Sequence, residues 1–258
     1  MREFFGFGGY QRPAEGFLSW QHLTFVSSLM VIMIVSAVLL GLKNKNASDK
    51  VKNRVLVVAA LLIDGFEIFK IVLECVRSND PMGWLINLPL FLCSIQLITI
   101  PLAAFSKGRV RNASLDFVFI FGILGAVLGT YGAAQNYNYY PVLSFDNAVS
   151  GITHAISGFA SLYIVISGMA SMKKRNIPVT LSILSGFCIA AYVVNRIIDY
   201  NYMFLMRGDG TPYDIFYNMV GGSPILYPIV VVLLFFLYIS VFYGIYFKIT
   251  NKKTKKAA

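Results

Sequence analysis

The sequence is poor in charged side chains, which make up 13% of its 258 residues, against about 25% in soluble domains. Hydrophobic residues make up 57% and the mean hydropathy is +0.68. This apolar excess is too large for one soluble core. Cysteine is also scarce: Cys75, Cys93 and Cys188 are odd in number and lie within or at the edge of apolar runs, so no disulfide framework is predicted.

Several apolar runs are long enough to cross a bilayer, which takes about 20 residues per helix. They lie at about residues 20–42, 55–75, 84–105, 115–134, 149–172, 178–200 and 225–247. The first run is longer than a signal-peptide core and follows no compact basic segment, so we interpret it as an uncleaved span. The pattern predicts an all-α integral membrane protein, a seven-transmembrane-helix bundle that forms a single transmembrane domain over residues 1–258.

The formal net charge of +10 is concentrated in four basic clusters, at residues 43–54, 107–111, 173–175 and 248–256. The clusters lie in every second gap between the apolar runs, and the last one follows the seventh run. The other gaps are rich in Asn, Tyr, Asp, Gly and Pro. This alternation is the positive-inside rule. It predicts a multi-pass protein of the cell membrane with the N-terminus outside and the C-terminus cytoplasmic, and it disfavours a nucleic-acid partner.

Ionisable residues are costly inside a span and usually face the interior of a helix bundle. The second run carries Asp64, Glu67, Lys70 and Glu74 at spacings of three, three and four residues, which places them on one helical face. Lys70 can pair there with Glu67 or Glu74. The stripe is either a structural set of ion pairs or a substrate-binding surface.

The sixth run has a second polar group, Asn195, Arg196 and Asp199, near its outer end. An internal pair between Arg196 and Asp199 is one interpretation. The other is a bidentate contact of Arg196 with a lipid phosphate.

The third and fifth runs carry a cysteine and a histidine at similar depth. His154 lies in a stripe of small polar residues, and Cys93 has Asn87 and Gln96 nearby. Counted inward from the outer ends, Cys93 and His154 lie roughly 8 to 14 Å deep. His22, at the outer end of the first run, is a further candidate for this layer. A polar cavity that opens toward the outer leaflet is predicted if these helices face one another.

Several short motifs spread over most of the chain are typical of one family. They are Leu88-Pro89-Leu90-Phe91-Leu92-Cys93-Ser94 with Gln96 and Pro101 downstream, His154, Asn201-Tyr202-Met203-Phe204-Leu205, and Ser223-Pro224. By these motifs the chain resembles the YwaF-type bacterial integral membrane proteins, which are similar in turn to a eukaryotic membrane acyltransferase acting on ether phospholipids. Position 91, commonly histidine in this pattern, is Phe91 here.

The resemblance implies that Cys93 is a nucleophile and His154 its base. A thiol attacks an ester as thiolate, which an adjacent imidazole can generate, and the thioester would pass its acyl chain to a lysolipid. Asn87, Gln96, Asn195 or backbone amides are candidates for stabilising the oxyanion. Membrane lipids are the expected environment and substrates, and no cofactor or metal is predicted.

Two other functions compete with acyl transfer. In a small-solute transporter or channel the charged residues would line a pathway, but residues 95–105 and 162–169, inward of the polar layer, are mainly apolar. The second alternative is a seven-helix receptor or sensor, because seven spans with the N-terminus outside are typical of sensory receptors. A retinal-binding receptor is disfavoured because the seventh run contains no lysine before Lys248.

Overall fold

The computed structural model describes residues 2–170 and 172–257, and the regular structure in these ranges is helical, without a strand. The helices are α1 (Trp20–Asn44), α2 (Asp49–Ser78), α3 (Gln96–Phe105), α4 (Gly108–Tyr131), α5 (Ala134–Tyr139), α6 (Phe145–Ile166), α7 (Ile177–Ile198), α8 (Tyr213–Met219) and α9 (Leu226–Ala257). Short 3₁₀ helices occupy Gly83–Asn87, Lys174–Asn176 and Tyr202–Phe204.

Five helical segments of the described chain are long and apolar enough to cross a membrane. They are Trp20–Asn44, Gly108–Tyr139, Phe145–Ile166, Lys174–Ile198 and Leu226–Thr250. Each overlaps one of the predicted runs. α2 has 30 residues but carries the charged stripe, and α3 is apolar but has only ten residues. The structure is therefore that of an all-α membrane protein.

The third predicted run, residues 84–105, is not one continuous helix. A 3₁₀ turn ends at Asn87, residues 88–95 are irregular, and α3 begins at Gln96. Pro89 accounts for the interruption, because proline lacks an N–H group and its ring clashes with the carbonyl of an earlier helical turn. Ser94 supplies hydrogen-bond partners for the Phe91 backbone in this irregular segment. Its Oγ accepts from the Phe91 N–H at 3.0 Å and donates to the Phe91 carbonyl at 3.1 Å.

The chain divides into two compact units, Met1–Ser171 and Met172–Ala258. In unit 1, α6 packs against α1, α2 and α4, and α3 fills the space beside α2 and α4. The contact between α4 and α6 is close because Gly122 faces the Ser157 backbone, where an added Cβ would lie 2.8 Å from the carbonyl oxygen. Small residues at such crossings are the usual means by which membrane helices approach one another.

Residues 2–18 precede α1 and are tied to the ends of α2 and α6. Arg77, at the end of α2, makes a bidentate ion pair with Asp146 in the first turn of α6, at 2.8 and 3.0 Å. The Tyr10 hydroxyl donates to the same carboxylate, and Arg77 also donates to the Phe5 carbonyl at 3.1 Å. One ion pair thereby fixes the N-terminal segment over this end of unit 1.

Unit 2 contains α7, α8 and α9 with the 3₁₀ turn Tyr202–Phe204. α7 and α9 pack together, and the buried hydroxyl groups of Thr180 and Tyr243 lie 3.1 Å apart between them. Asp199 ends α7 in the left-handed conformation, with φ of 51°.

Candidate active site

The structure brings Cys93 and His154 together in unit 1. Their side chains are close enough to interact, and both are half-buried. Cys93 comes from the irregular turn before α3, whereas His154 lies in the middle of α6. A thiol paired with an imidazole is the arrangement that nucleophilic catalysis by cysteine requires.

A backbone contact fixes the tautomer of His154. Its Nδ1 lies 2.7 Å from the Ser150 carbonyl oxygen, one turn earlier on α6. A carbonyl only accepts hydrogen bonds, so Nδ1 carries the proton. The lone pair then resides on Nε2, which is the atom able to take the proton of Cys93.

Glycines of α4 form the wall beside this pair. A Cβ on Gly125 would lie 3.3 Å from the Cβ of Cys93, and a Cβ on Gly129 would overlap the imidazole of His154. Gly125 and Gly129 are one helical turn apart, so the same face of α4 accommodates both side chains. The sequence analysis did not select these glycines. Their four-residue spacing, with Gly122 one turn before Gly125, was the signal that could have identified them.

The turn before α3 directs backbone donors at the thiol. The amides of Cys93 and Ser94 lie close enough to the Cys93 sulfur to interact with it. The sulfur therefore lies at the amino end of α3, where the exposed N–H groups and the helix dipole stabilise negative charge.

Gln96 lies one turn after Cys93 and is fully buried. Its Oε1 accepts a hydrogen bond from the Thr99 hydroxyl at 3.0 Å, which identifies Nε2 as the remaining donor. Among the described residues Nε2 has no acceptor. A buried amide donor without a partner costs about 1–3 kcal/mol, and an acceptor supplied by a bound ligand would remove that cost.

The charged stripe of α2 lies near the same pair. Lys70 pairs with Glu67 at 2.5 Å, and the Asn87 amide donates to Glu74 at 2.8 Å. Glu67 is close enough to interact electrostatically with His154. The structure thus places Glu67, Lys70 and Asn87 on the α2 side of the candidate site.

His22 is fully buried at the start of α1, and both of its ring nitrogens are engaged. Nδ1 accepts from the Leu18 N–H at 3.1 Å, so Nε2 donates to the Thr130 carbonyl at 3.1 Å. The ring also packs on Tyr137, with centroids 3.9 Å apart. These contacts join the start of α1 to the end of α4 and leave neither nitrogen for a substrate.

The third group of predicted residues lies in unit 2. Asn195 is buried and binds the Tyr202 backbone twice, donating to its carbonyl at 3.0 Å and accepting from its N–H at 2.7 Å. Arg196 and Asp199 are exposed. Within the described residues they form no ion pair with each other, so the pair that the spacing suggested is not made.

No cluster of three or more His, Cys, Asp or Glu side chains with metal-binding geometry occurs in residues 2–170 and 172–257. The polar chemistry of the site is therefore that of the Cys93–His154 pair, its backbone donors, Gln96 and the α2 stripe.

Comparison with known proteins identifies the family of the chain. No curated protein and no solved structure matches it. The model of the TMEM164 family, a family of membrane proteins, matches residues 17–246, a range that runs from before α1 into α9 and includes Cys93 and His154. A match of this extent, together with the long apolar helices, shows that the chain is a membrane protein and belongs to the TMEM164 family.

Proposed function

We propose that this protein is a membrane-embedded phospholipid or lysophospholipid acyltransferase or transacylase, with Cys93 as nucleophile and His154 as base. The observation that carries the proposal is that the two side chains lie close enough to interact, against the same face of α4. It is supported by the contact of Nδ1 with the Ser150 carbonyl, which leaves Nε2 as the proton acceptor. The resemblance to YwaF-type proteins and their acyltransferase relative points to the same residues.

In the first half-reaction, Nε2 of His154 takes the thiol proton as the Cys93 sulfur attacks the ester carbonyl of a phospholipid. The C–S bond forms and the ester C–O bond breaks. His154 returns the proton to the departing lysolipid oxygen. In the second half-reaction the hydroxyl of an acceptor lysolipid gives its proton to His154 and attacks the thioester. An ester forms and the thiol is regenerated.

The charge on the carbonyl oxygen during each attack requires hydrogen-bond donors. Of the three side-chain amides considered from the sequence, Asn87 donates to Glu74 and Asn195 to the Tyr202 backbone. Within residues 2–170 and 172–257, Nε2 of Gln96 is a buried donor without an acceptor, one turn from the proposed nucleophile. Gln96 and the amides of Cys93 and Ser94 are therefore the groups that we assign to the oxyanion.

We extend the proposal to a seven-span topology in the cell membrane, with the N-terminus outside and the C-terminus cytoplasmic. α2 and the segment 84–105 provide the two further crossings. The 30 residues of α2 reach about 45 Å. Irregular backbone such as residues 88–95 is tolerated at membrane depth where protein surrounds it. The alternation of basic clusters supports the orientation.

The test is intact-protein mass spectrometry after incubation with phospholipid vesicles lacking an acceptor lysolipid. We expect an added acyl mass that hydroxylamine removes. It should be absent in Cys93→Ser, strongly reduced in His154→Ala and retained in the matched control Cys75→Ser, since Cys75 is also half-buried. No adduct on the wild type, or an equal adduct on Cys93→Ser, would rule the mechanism out.

A further inference from the structure

A cavity lies in unit 1 between the start of α2 and the connection from α3 to α4, and it has a volume of about 370 Å³. It belongs to a different part of the fold from the Cys93–His154 pair. The residues that give it its chemistry are Asp49, Lys50, Asn53, Lys107, Gly108 and Arg111.

The cavity carries an excess of positive charge. Lys50, Lys107 and Arg111 contribute three cations, and Asp49 is the one carboxylate among the lining residues. In the described part of the chain none of these four side chains forms an ion pair. The cavity therefore has two uncompensated positive charges.

Arg111 is held in place by a hydrogen-bonded side chain. Asn53 donates through Nδ2 to the Ala104 carbonyl at 2.7 Å and accepts from Nη2 of Arg111 at 3.3 Å. These bonds link α2, the end of α3 and the first turn of α4. A guanidinium held through one nitrogen keeps its other N–H groups for an oxyanion, and a fixed fork of donors suits phosphate geometry.

The amino end of α4 opens at the same place. Lys107 is the N-cap residue and its side chain makes no capping hydrogen bond. Gly108 follows with φ of 61° and lines the cavity. The first N–H groups of a helix have no partner within the helix, and together with the helix dipole they favour an anion.

We propose that this cavity binds a phosphate-bearing anion, contributed either by a lipid headgroup or by a soluble phosphorylated molecule. The positive-inside rule explains why basic residues are numerous at this end of the helices. It does not explain why three of them converge on a cavity with an uncapped helix end and an arginine positioned by Asn53. Basic pockets between membrane helices are known to take phospholipid headgroups.

The experiment uses the full chain purified in detergent. Native mass spectrometry counts bound lipid after exposure to phosphatidylglycerol or phosphatidylcholine, and thermal unfolding is followed with inorganic phosphate against chloride at equal ionic strength. The test variant is Arg111→Gln. Arg54→Gln is the matched control, because Arg54 is an exposed arginine of α2 that does not line the cavity.

We expect one phosphatidylglycerol to be retained in preference to phosphatidylcholine, or phosphate to raise the melting temperature where chloride does not. The first result identifies a headgroup and the second a soluble phosphate. The affinity behind either effect should fall about tenfold in Arg111→Gln, as expected for loss of one charged hydrogen bond. It should be unchanged in Arg54→Gln. The proposal is overturned if neither anion binds, or if both variants weaken binding equally.

Discussion

The replacement Gly129→Ala tests whether α4 positions His154 for its proposed role. An added Cβ would overlap the imidazole, including Nε2. The ring cannot move away freely, because Nδ1 is held 2.7 Å from the Ser150 carbonyl. Any rotation that relieves the overlap weakens either that bond or the interaction with Cys93.

The expected loss of activity is large and the expected loss of stability is small. Displacement of a reacting group by about 1 Å costs on the order of 10²-fold in rate, within the 10²–10⁴-fold range for general-base catalysis. The gain of alanine over glycine in a helix is about 1 kcal/mol. It offsets part of an overpacking penalty of about 1–3 kcal/mol. Gly129→Ala should therefore remain folded while its Cys93 chemistry slows about 10²-fold.

The assay is the rate of Cys93 alkylation by iodoacetamide at neutral pH, located by peptide mass spectrometry in a Cys75→Ser background. Gly65→Ala is the control, because Gly65 has open space where the Cβ would be. Gly125→Ala, whose Cβ would approach Cys93 to 3.3 Å, should give a smaller, several-fold loss. An unchanged alkylation rate in a folded Gly129→Ala protein would refute the role assigned to the His154 position.

Three further predictions concern the supports of the fold. Arg77→Gln leaves Asp146 without its ion-pair partner, and the side chains of this pair are only 14% and 13% exposed. The free energy of unfolding should therefore fall by about 2–4 kcal/mol. An unchanged thermal unfolding midpoint in detergent would contradict this. Burial and the Asp146 carboxylate raise the pKa of Tyr10 from 10.0 to about 12. The neutral phenol therefore contributes stability that is complete below pH 10 and lost as the pH rises toward 12, and a pH titration of the unfolding midpoint should show a smaller loss in Tyr10→Phe. Asn195→Ala removes two hydrogen bonds to the Tyr202 backbone and should cost about 2–4 kcal/mol, measured as faster proteolysis between α7 and α8. Equal cleavage rates would argue against it.

The positions of the long helices could be predicted from composition, because an apolar run of membrane length has few alternatives to a helix. The segment 84–105 shows where this reasoning failed. Its apolar composition was read as one helix although Pro89 stands inside it. The local effect of proline was decisive, and it produced the turn that presents Cys93.

The candidate site was only partly visible in the sequence. Spacing on α2 allowed Lys70 to pair with Glu67 or Glu74, and the structure selects Glu67, while Glu74 accepts from Asn87. The engagement of both nitrogens of His22 could not be foreseen, because the partner of Nε2 is the carbonyl of Thr130, which is distant in the sequence. The α4 glycines were missed for a similar reason. The space beside a glycine can be assigned to a neighbouring side chain only when the position of that side chain is known.

The turn that presents Cys93 also bears on Phe91, at the position where the resemblance to YwaF-type proteins leads us to expect a histidine. The Phe91 backbone bonds the Ser94 hydroxyl twice within the turn, and its carbonyl also accepts from the Ile95 N–H at 3.0 Å. Any residue at position 91 supplies the same N–H and carbonyl groups, so the turn depends on Ser94 rather than on a histidine side chain. The proposed proton acceptor for Cys93 comes from α6, through His154. A phenylalanine at position 91 is therefore compatible both with the turn and with the proposed Cys93–His154 pair.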